Sequence, residues 1–365
     1  MKRILPLFFI LLLFALHPVQ SLACTSFAVY RDNTLYGMNF DYPDVPVRYA
    51  ISQSGDMSVF HVDFQTNGRY VPIAGMNGQG LFLAVQMLYP EELATIEAGS
   101  SKIELHTFAQ QALFGMKSVE EVKQQLEGQQ LVNTFLTLHC MLADRSGEAV
   151  VLEPGTEQNR ITQNPGDYLI MTNFSNADAY NPDTQKLEGV DCERYLAADA
   201  YIAQNPDSFE IEGGLETLKR TMQSEGGFPT QHSMVCDPVN GEIYIAIRGD
   251  FERIWRISLP EKTIEGYRGF EQPIKLKLDE QGVTAQELID LSSALQEQYG
   301  SVNQKTGVSA DGAAAQPTAL SNDLPTESAA ALGPLVMIGI CLATLCIIAV
   351  VWLLLLRRAR RQRGS

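Results

Sequence analysis

Cys24 is the residue in this chain with the most chemistry to offer. It follows Ser21-Leu22-Ala23, whose small residues at −3 and −1 suit signal peptidase. Cleavage there would make Cys24 the first residue, with a thiol and an α-amine on the same amino acid. Such an amine has a pKa of roughly 7.7–8.0, so it is partly neutral at physiological pH. It can take the thiol proton, and one residue then supplies both nucleophile and base. A cysteine at this position also suits lipidation, although Ser21 and Leu22 stand in the reverse of the order a lipoprotein signal wants. His139 looks catalytic in isolation. Cys140, Cys192 and Cys236 would leave one thiol over if paired, so no obligatory disulfide is expected.

The ends of the chain set where this chemistry would take place. Lys2 and Arg3 precede an apolar run, Ile4 to Leu16, that is too short to cross a bilayer. Residues 1–23 therefore read as a signal peptide. Leu335 to Leu356 carries no charge and is long enough to span a membrane. Five arginines follow it between Arg357 and Arg363, and a basic flank stays cytoplasmic. The expected organisation is a signal peptide (1–23), a catalytic domain (24–300), a flexible linker (301–332), a transmembrane helix (333–356) and a basic cytoplasmic tail (357–365). The catalytic domain would then be extracytoplasmic on a single-pass membrane protein. Between the ends, 20 basic residues face 43 acidic ones, a charge of about −23. So acidic a body argues against nucleic-acid binding, which needs a basic footprint.

The elements that must position Cys24 are mostly hairpins. Thr25–Tyr30 and Thr34–Phe40 flank the turn residues Arg31-Asp32-Asn33. Leu81–Leu88 reads as a strand. Phe135–Ala143 and Ala149–Glu153 read as strands joined through Asp144-Arg145-Ser146-Gly147. Tyr168–Thr172, Ser233–Cys236, Glu242–Arg248 and Arg253–Ser258 are further strands. Helical spacing marks Ile103–Met116, Val119–Leu126, Asp191–Gln204, Leu215–Gln223 and Ala285–Gln298. Hairpins with helices in separate blocks predict an α+β fold with antiparallel sheets.

Six segments occur in a telling order: Cys24-Thr25-Ser26-Phe27; Gly37-Met38-Asn39-Phe40-Asp41; Gly75-Met76-Asn77-Gly78-Gln79-Gly80-Leu81; Leu138-His139 through Asp144 to Glu153; Met171-Thr172-Asn173; and Glu193-Arg194-Tyr195. In this the chain resembles the choloylglycine hydrolase family of N-terminal nucleophile (Ntn) hydrolases, which includes bile salt hydrolases and penicillin V acylases. The resemblance implies a four-layer αββα sandwich. It implies Cys24 as nucleophile, Asp41 beside the N-terminal amine and Arg194 near the nucleophile. It also implies oxyanion donors from the Asn173 side-chain amide and the Tyr89 peptide N–H. His139 reads as structural in this context. One departure stands out. The family has arginine where this chain has Met38, and an apolar side chain cannot lower the thiol pKa by its charge.

The implied reaction is hydrolysis of a non-peptide linear amide of a small molecule through a thioester, with no metal or organic cofactor. The acyl group stays open among bile salts, phenoxyacetyl penicillins and acyl-homoserine lactones. Homo-oligomerisation is left open too. Two other functions compete: acyl transfer to an amine on the same fold, and a membrane-tethered binding protein with a lipidated, non-catalytic Cys24.

Overall fold

The computed structural model describes residues 24–89, 101–178, 180–181, 186–187, 192–205, 209–224 and 226–306. The chain divides into two units, Met1–Gly307 and Val308–Ser365, and the described residues belong to the first. The expected signal peptide, membrane span and basic tail lie outside them. Among the described residues, no helix is long and apolar enough to cross a membrane.

The chain opens with six long strands: β1 (Thr25–Tyr30), β2 (Thr34–Asp41), β3 (Val47–Ser54), β4 (Met57–Thr66), β5 (Arg69–Asn77) and β6 (Phe82–Met87). A short β7 (Lys102–Glu104) leads into α1 (Leu105–Gly115) and α2 (Val119–Leu126), followed by β8 (Gln130–Val132). Four strands come next, β9 (Leu138–Ala143), β10 (Ala149–Glu153), β11 (Arg160–Gln163) and β12 (Tyr168–Met171), then a small pair, β13 (Tyr180–Asn181) and β14 (Lys186–Leu187). Helices α3 (Cys192–Gln204) and α4 (Ile211–Thr221) precede β15 (Thr230–Asp237), β16 (Glu242–Ile247), β17 (Ile254–Ser258), β18 (Thr263–Arg268) and β19 (Lys275–Lys277). The short β20 (Val283–Thr284) runs into α5 (Ala285–Thr306).

Two antiparallel eight-stranded sheets result. One has the order β12-β1-β2-β15-β16-β17-β18-β19, the other β11-β10-β9-β6-β5-β4-β3-β20. Alternate residues of facing strands, among them Tyr36, Met38, Phe60, Phe82 and Met234, meet in one apolar core between the sheets. The outer face of the second sheet packs on α1 and α2 through Leu83, Val85, Phe108 and Leu113. The outer face of the first packs on α3 and α4 through Phe27, Ala198, Leu215 and Val235. The layers are helix, sheet, sheet, helix.

Because both faces of each sheet are covered, the central strands are apolar along their whole length. β1, β6 and β10 are buried almost throughout. Gly37 is required by this packing, since a Cβ there would lie 2.3 Å from the Phe27 ring. The glycine-rich segment before β6 is also structural. The Asn77 side-chain oxygen accepts from Gln79 N and Leu81 N, and its amide donates to Leu113 O and Met116 O at the end of α1. Gly80 takes the left-handed conformation at φ 84° that this turn needs. Asp144 plays a comparable part, accepting from Ser146 N in its own turn and from Val119 N at the start of α2.

Candidate active site

The site forms at one end of the first sheet for a topological reason. Strands β12, β1, β2 and β15 are neighbours, and antiparallel pairing brings the start of β1 beside the ends of β12 and β2. Thr25 pairs with Asn39, Ser26 with Met171, and Thr230 with Asp41. Cys24, Asp41, Asn173 and Thr230 therefore converge from four separate parts of the chain.

Cys24 is buried, 4% exposed, on the inter-sheet side. Its main-chain nitrogen donates to Asn173 Oδ1 at 2.6 Å. Its sulfur lies between the two main-chain groups of Asp41, 3.4 Å from the nitrogen and 3.8 Å from the oxygen. The Asp41 carboxylate accepts from Thr230 Oγ1 at 2.5 Å and from Arg194 at 3.1 Å. Arg194 comes from the first turn of α3, so a helix on the outer face reaches the sheet end through one ion pair. Thr230 is a site residue that sequence reasoning missed. Its segment carries no sign of chemistry, and only the register of β15 on β2 brings it to Asp41.

The Asn173 amide nitrogen donates to Met87 O at 2.7 Å. It carries two hydrogens, so one remains after this bond. Tyr89 differs from expectation. Its peptide N–H donates to Asn173 O at 2.7 Å, and Tyr89 bridges to Phe174. In this arrangement that N–H ties the end of β6 to the loop after β12 and is not aimed at an oxyanion.

The Asn173 loop is held from behind by Glu153. This buried carboxylate accepts from Ser175 Oγ at 2.8 Å and Asn176 N at 2.7 Å, with His139 Nδ1 at 3.3 Å. Burial raises the Glu153 pKa, but the bonds from His139, Ser175 and Asn176 outweigh it and hold the carboxyl below its ordinary range. His139 is thus a buried partner of Glu153, as its structural reading expects. Cys140 and Cys236 are fully buried, and burial pushes both thiols far up, away from the reactive thiolate. Met38 is fully buried on the same face of the sheet as Cys24, one pleat away.

Cys24 opens onto a cavity of about 340 Å³ whose walls include Phe40, Phe64, Ile73, Val85 and Met87. β5 and β6 pair only over Ala74–Met76 and Phe82–Ala84. Past that point the two strands separate, and Val71, Ile73, Val85 and Met87 line the gap. Among the described residues no cluster of His, Cys, Asp and Glu could hold a metal ion.

Residues 55–195 match the model of the linear amide C-N hydrolases, choloylglycine hydrolase family. No curated protein matches the chain. Among solved structures, a variant of conjugated bile acid hydrolase from Clostridium perfringens aligns with TM-score 0.50 at 18% identity, covering 70% of this chain and 98% of that one. Penicillin V acylase from Agrobacterium tumefaciens aligns with TM-score 0.53 at 17% identity, covering 67% and 90%. At such identities these likenesses bear on the fold alone, which is Ntn-hydrolase-like. Over residues 55–195 the chain thus resembles the choloylglycine hydrolase family, a likeness that supports a linear amide C–N hydrolase.

Proposed function

We propose that the enzyme cleaves a small-molecule amide with Cys24 as its N-terminal nucleophile, through a thioester. What supports this most is the setting of Cys24. Its main-chain nitrogen is held by Asn173 Oδ1 and its sulfur by the Asp41 main chain, at the wall of an apolar cavity. Removal of residues 1–23 turns that nitrogen into an α-amine. The amine takes the thiol proton, and the sulfur attacks the amide carbonyl carbon. In this reading the remaining Asn173 N–H donates to the tetrahedral oxyanion, an interaction worth roughly 3 kcal/mol. The intermediate collapses, the C–N bond breaks, and the ammonium gives its proton to the leaving amine. Water activated by the same amine then attacks the thioester and frees the acid. The Arg194–Asp41–Thr230 chain fixes the peptide that cradles the sulfur.

In this reading the domain works outside the cytoplasm, held by the C-terminal helix read from the sequence. The apolar cavity takes the acyl part of the substrate. The test is hydrolysis of amides from the three acyl classes by the purified mature protein and by Cys24→Ala. Loss of turnover in the folded variant supports the reading. A diacylglyceryl mass on Cys24 with no turnover would favour the lipidated binding protein.

A further inference from the structure

The cavity beside Cys24 is not lined by apolar groups alone. On the side of α1 its wall contains Glu104, His106 and Thr107. Cys24 belongs to the first sheet, whereas Glu104 closes β7 at the start of α1, a helix packed on the outer face of the second sheet. Both nevertheless line the same cavity.

Glu104 occupies the N-cap position of α1 but makes no capping bond with its side chain. The carboxylate lines the cavity instead, where Oε1 accepts from Thr134 Oγ1. His106 Nε2 lies 2.9 Å from Pro72 O, which places its proton on that nitrogen. Desolvation raises the Glu104 pKa, against a hydrogen bond from the Thr134 backbone and the nearby His106. A carboxylate in the wall of a mostly apolar cavity attracts a donor and repels an anion.

We propose that the acyl group accepted here carries a hydrogen-bond donor, a hydroxyl or an amine, at the end that reaches Glu104, and that a terminal carboxylate is rejected. The proposal rests on Cys24 as the attacking group only in fixing which end of the substrate enters first.

A binding measurement separates the two ideas. Straight-chain N-acyl anilides of graded length, ending in methyl, hydroxyl or carboxylate, are titrated calorimetrically into the full chain carrying Cys24→Ala. At the length that reaches Glu104, the hydroxyl series should bind about tenfold more tightly than the methyl series, as expected for a hydrogen bond to a charged group. The carboxylate series should bind most weakly. Adding Glu104→Gln should shrink the hydroxyl preference and the penalty on carboxylate by about tenfold. Equal binding of hydroxyl and methyl ends at every length would overturn the proposal. So would an undiminished penalty on carboxylate in Glu104→Gln. Hydrolysis by the wild-type chain is read in parallel. No turnover with the predicted binding order would sink the amidase reading and leave the subsite standing. Turnover without that order would do the reverse.

Discussion

At Cys24 the fold supplies tethers for both reacting groups, and their separate contributions can be read one substitution at a time. Thr230→Val removes a donor from the buried Asp41 carboxylate while keeping size and shape. A hydrogen bond to a charged group is worth about 1.5–3 kcal/mol, so kcat/KM should fall roughly tenfold or more. Unchanged kinetics in a folded Thr230→Val enzyme would remove Asp41 from the account. Met38→Arg tests the departure from the family. A nearby cation favours thiolate, so iodoacetamide should alkylate Cys24 at lower pH than in wild type. Met38 is fully buried, so the new charge must reach the cavity or lose stability through an unpaired ion. An unchanged or raised alkylation pKa in a folded variant would mean that position 38 does not act on the sulfur.

The loop after β12 illustrates how an element sets a site from behind. Glu153 gathers donors from Ser175 and Asn176 and so fixes the residues beside Asn173. Glu153→Gln turns one acceptor into a donor facing those groups. The expected result is a kcat reduced about tenfold with KM moving less, and stability lower by about 2 kcal/mol. Loss of stability with unchanged kcat would make Glu153 a fold residue only. β15 carries the other prediction. His232 is fully buried beside Phe40 and Tyr49, and desolvation lowers its pKa from 6.5 to about 3. Above 6.5 both states are neutral there and the group costs nothing. As pH falls towards 3, the unfolded chain binds a proton that the folded one refuses. Stability should then drop by up to roughly 1.4 kcal/mol per pH unit from this residue. His232→Phe should flatten the acid limb of Tm against pH; superimposable limbs would contradict the assignment.

How much of this was legible in the sequence differs by element. The β1–β2 hairpin, α2 and β10 follow their local signals closely, because turn residues and helical spacing are short-range. β3, β4 and β5 escape such reading. Tyr49, Ile51, Phe60 and Val62 face the inter-sheet core, while His61 and Asp63 are buried on the other face, so apolar alternation is blurred. α5 continues to Thr306 beyond the expected Gln298, because Ser301 to Thr306 contains neither proline nor glycine to stop it. At the site, the resemblance pointed to Cys24, Asp41, Asn173 and Arg194, and the fold brings these four together. Thr230 was not, since pairing of β15 with β2 joins positions 189 residues apart. Tyr89 was legible as a neighbour of the site, but the direction of its N–H depends on the bridge to Phe174.

For the molecule as a whole, the proposal takes residues 24–300 as the catalytic body and the C-terminal helix expected from the sequence as a tether. A chain stopped after Thr306 should stay in the soluble fraction with its kcat/KM intact, while the full chain sediments with membranes. Sedimentation of both forms alike would contradict the tether. The central claim is chemical, however, and rests on Cys24 as both nucleophile and base. Its most direct measurement is rapid quenching during turnover of a slow amide, followed by peptide mapping by mass. The account predicts an acyl mass on the Cys24 peptide, labile to hydroxylamine, in protein whose first residue is Cys24. The adduct should be absent when Ala23 is still attached, because an amide nitrogen cannot take the thiol proton. Steady turnover in the Ala23-extended protein, or an acyl group mapped to another residue, would contradict it.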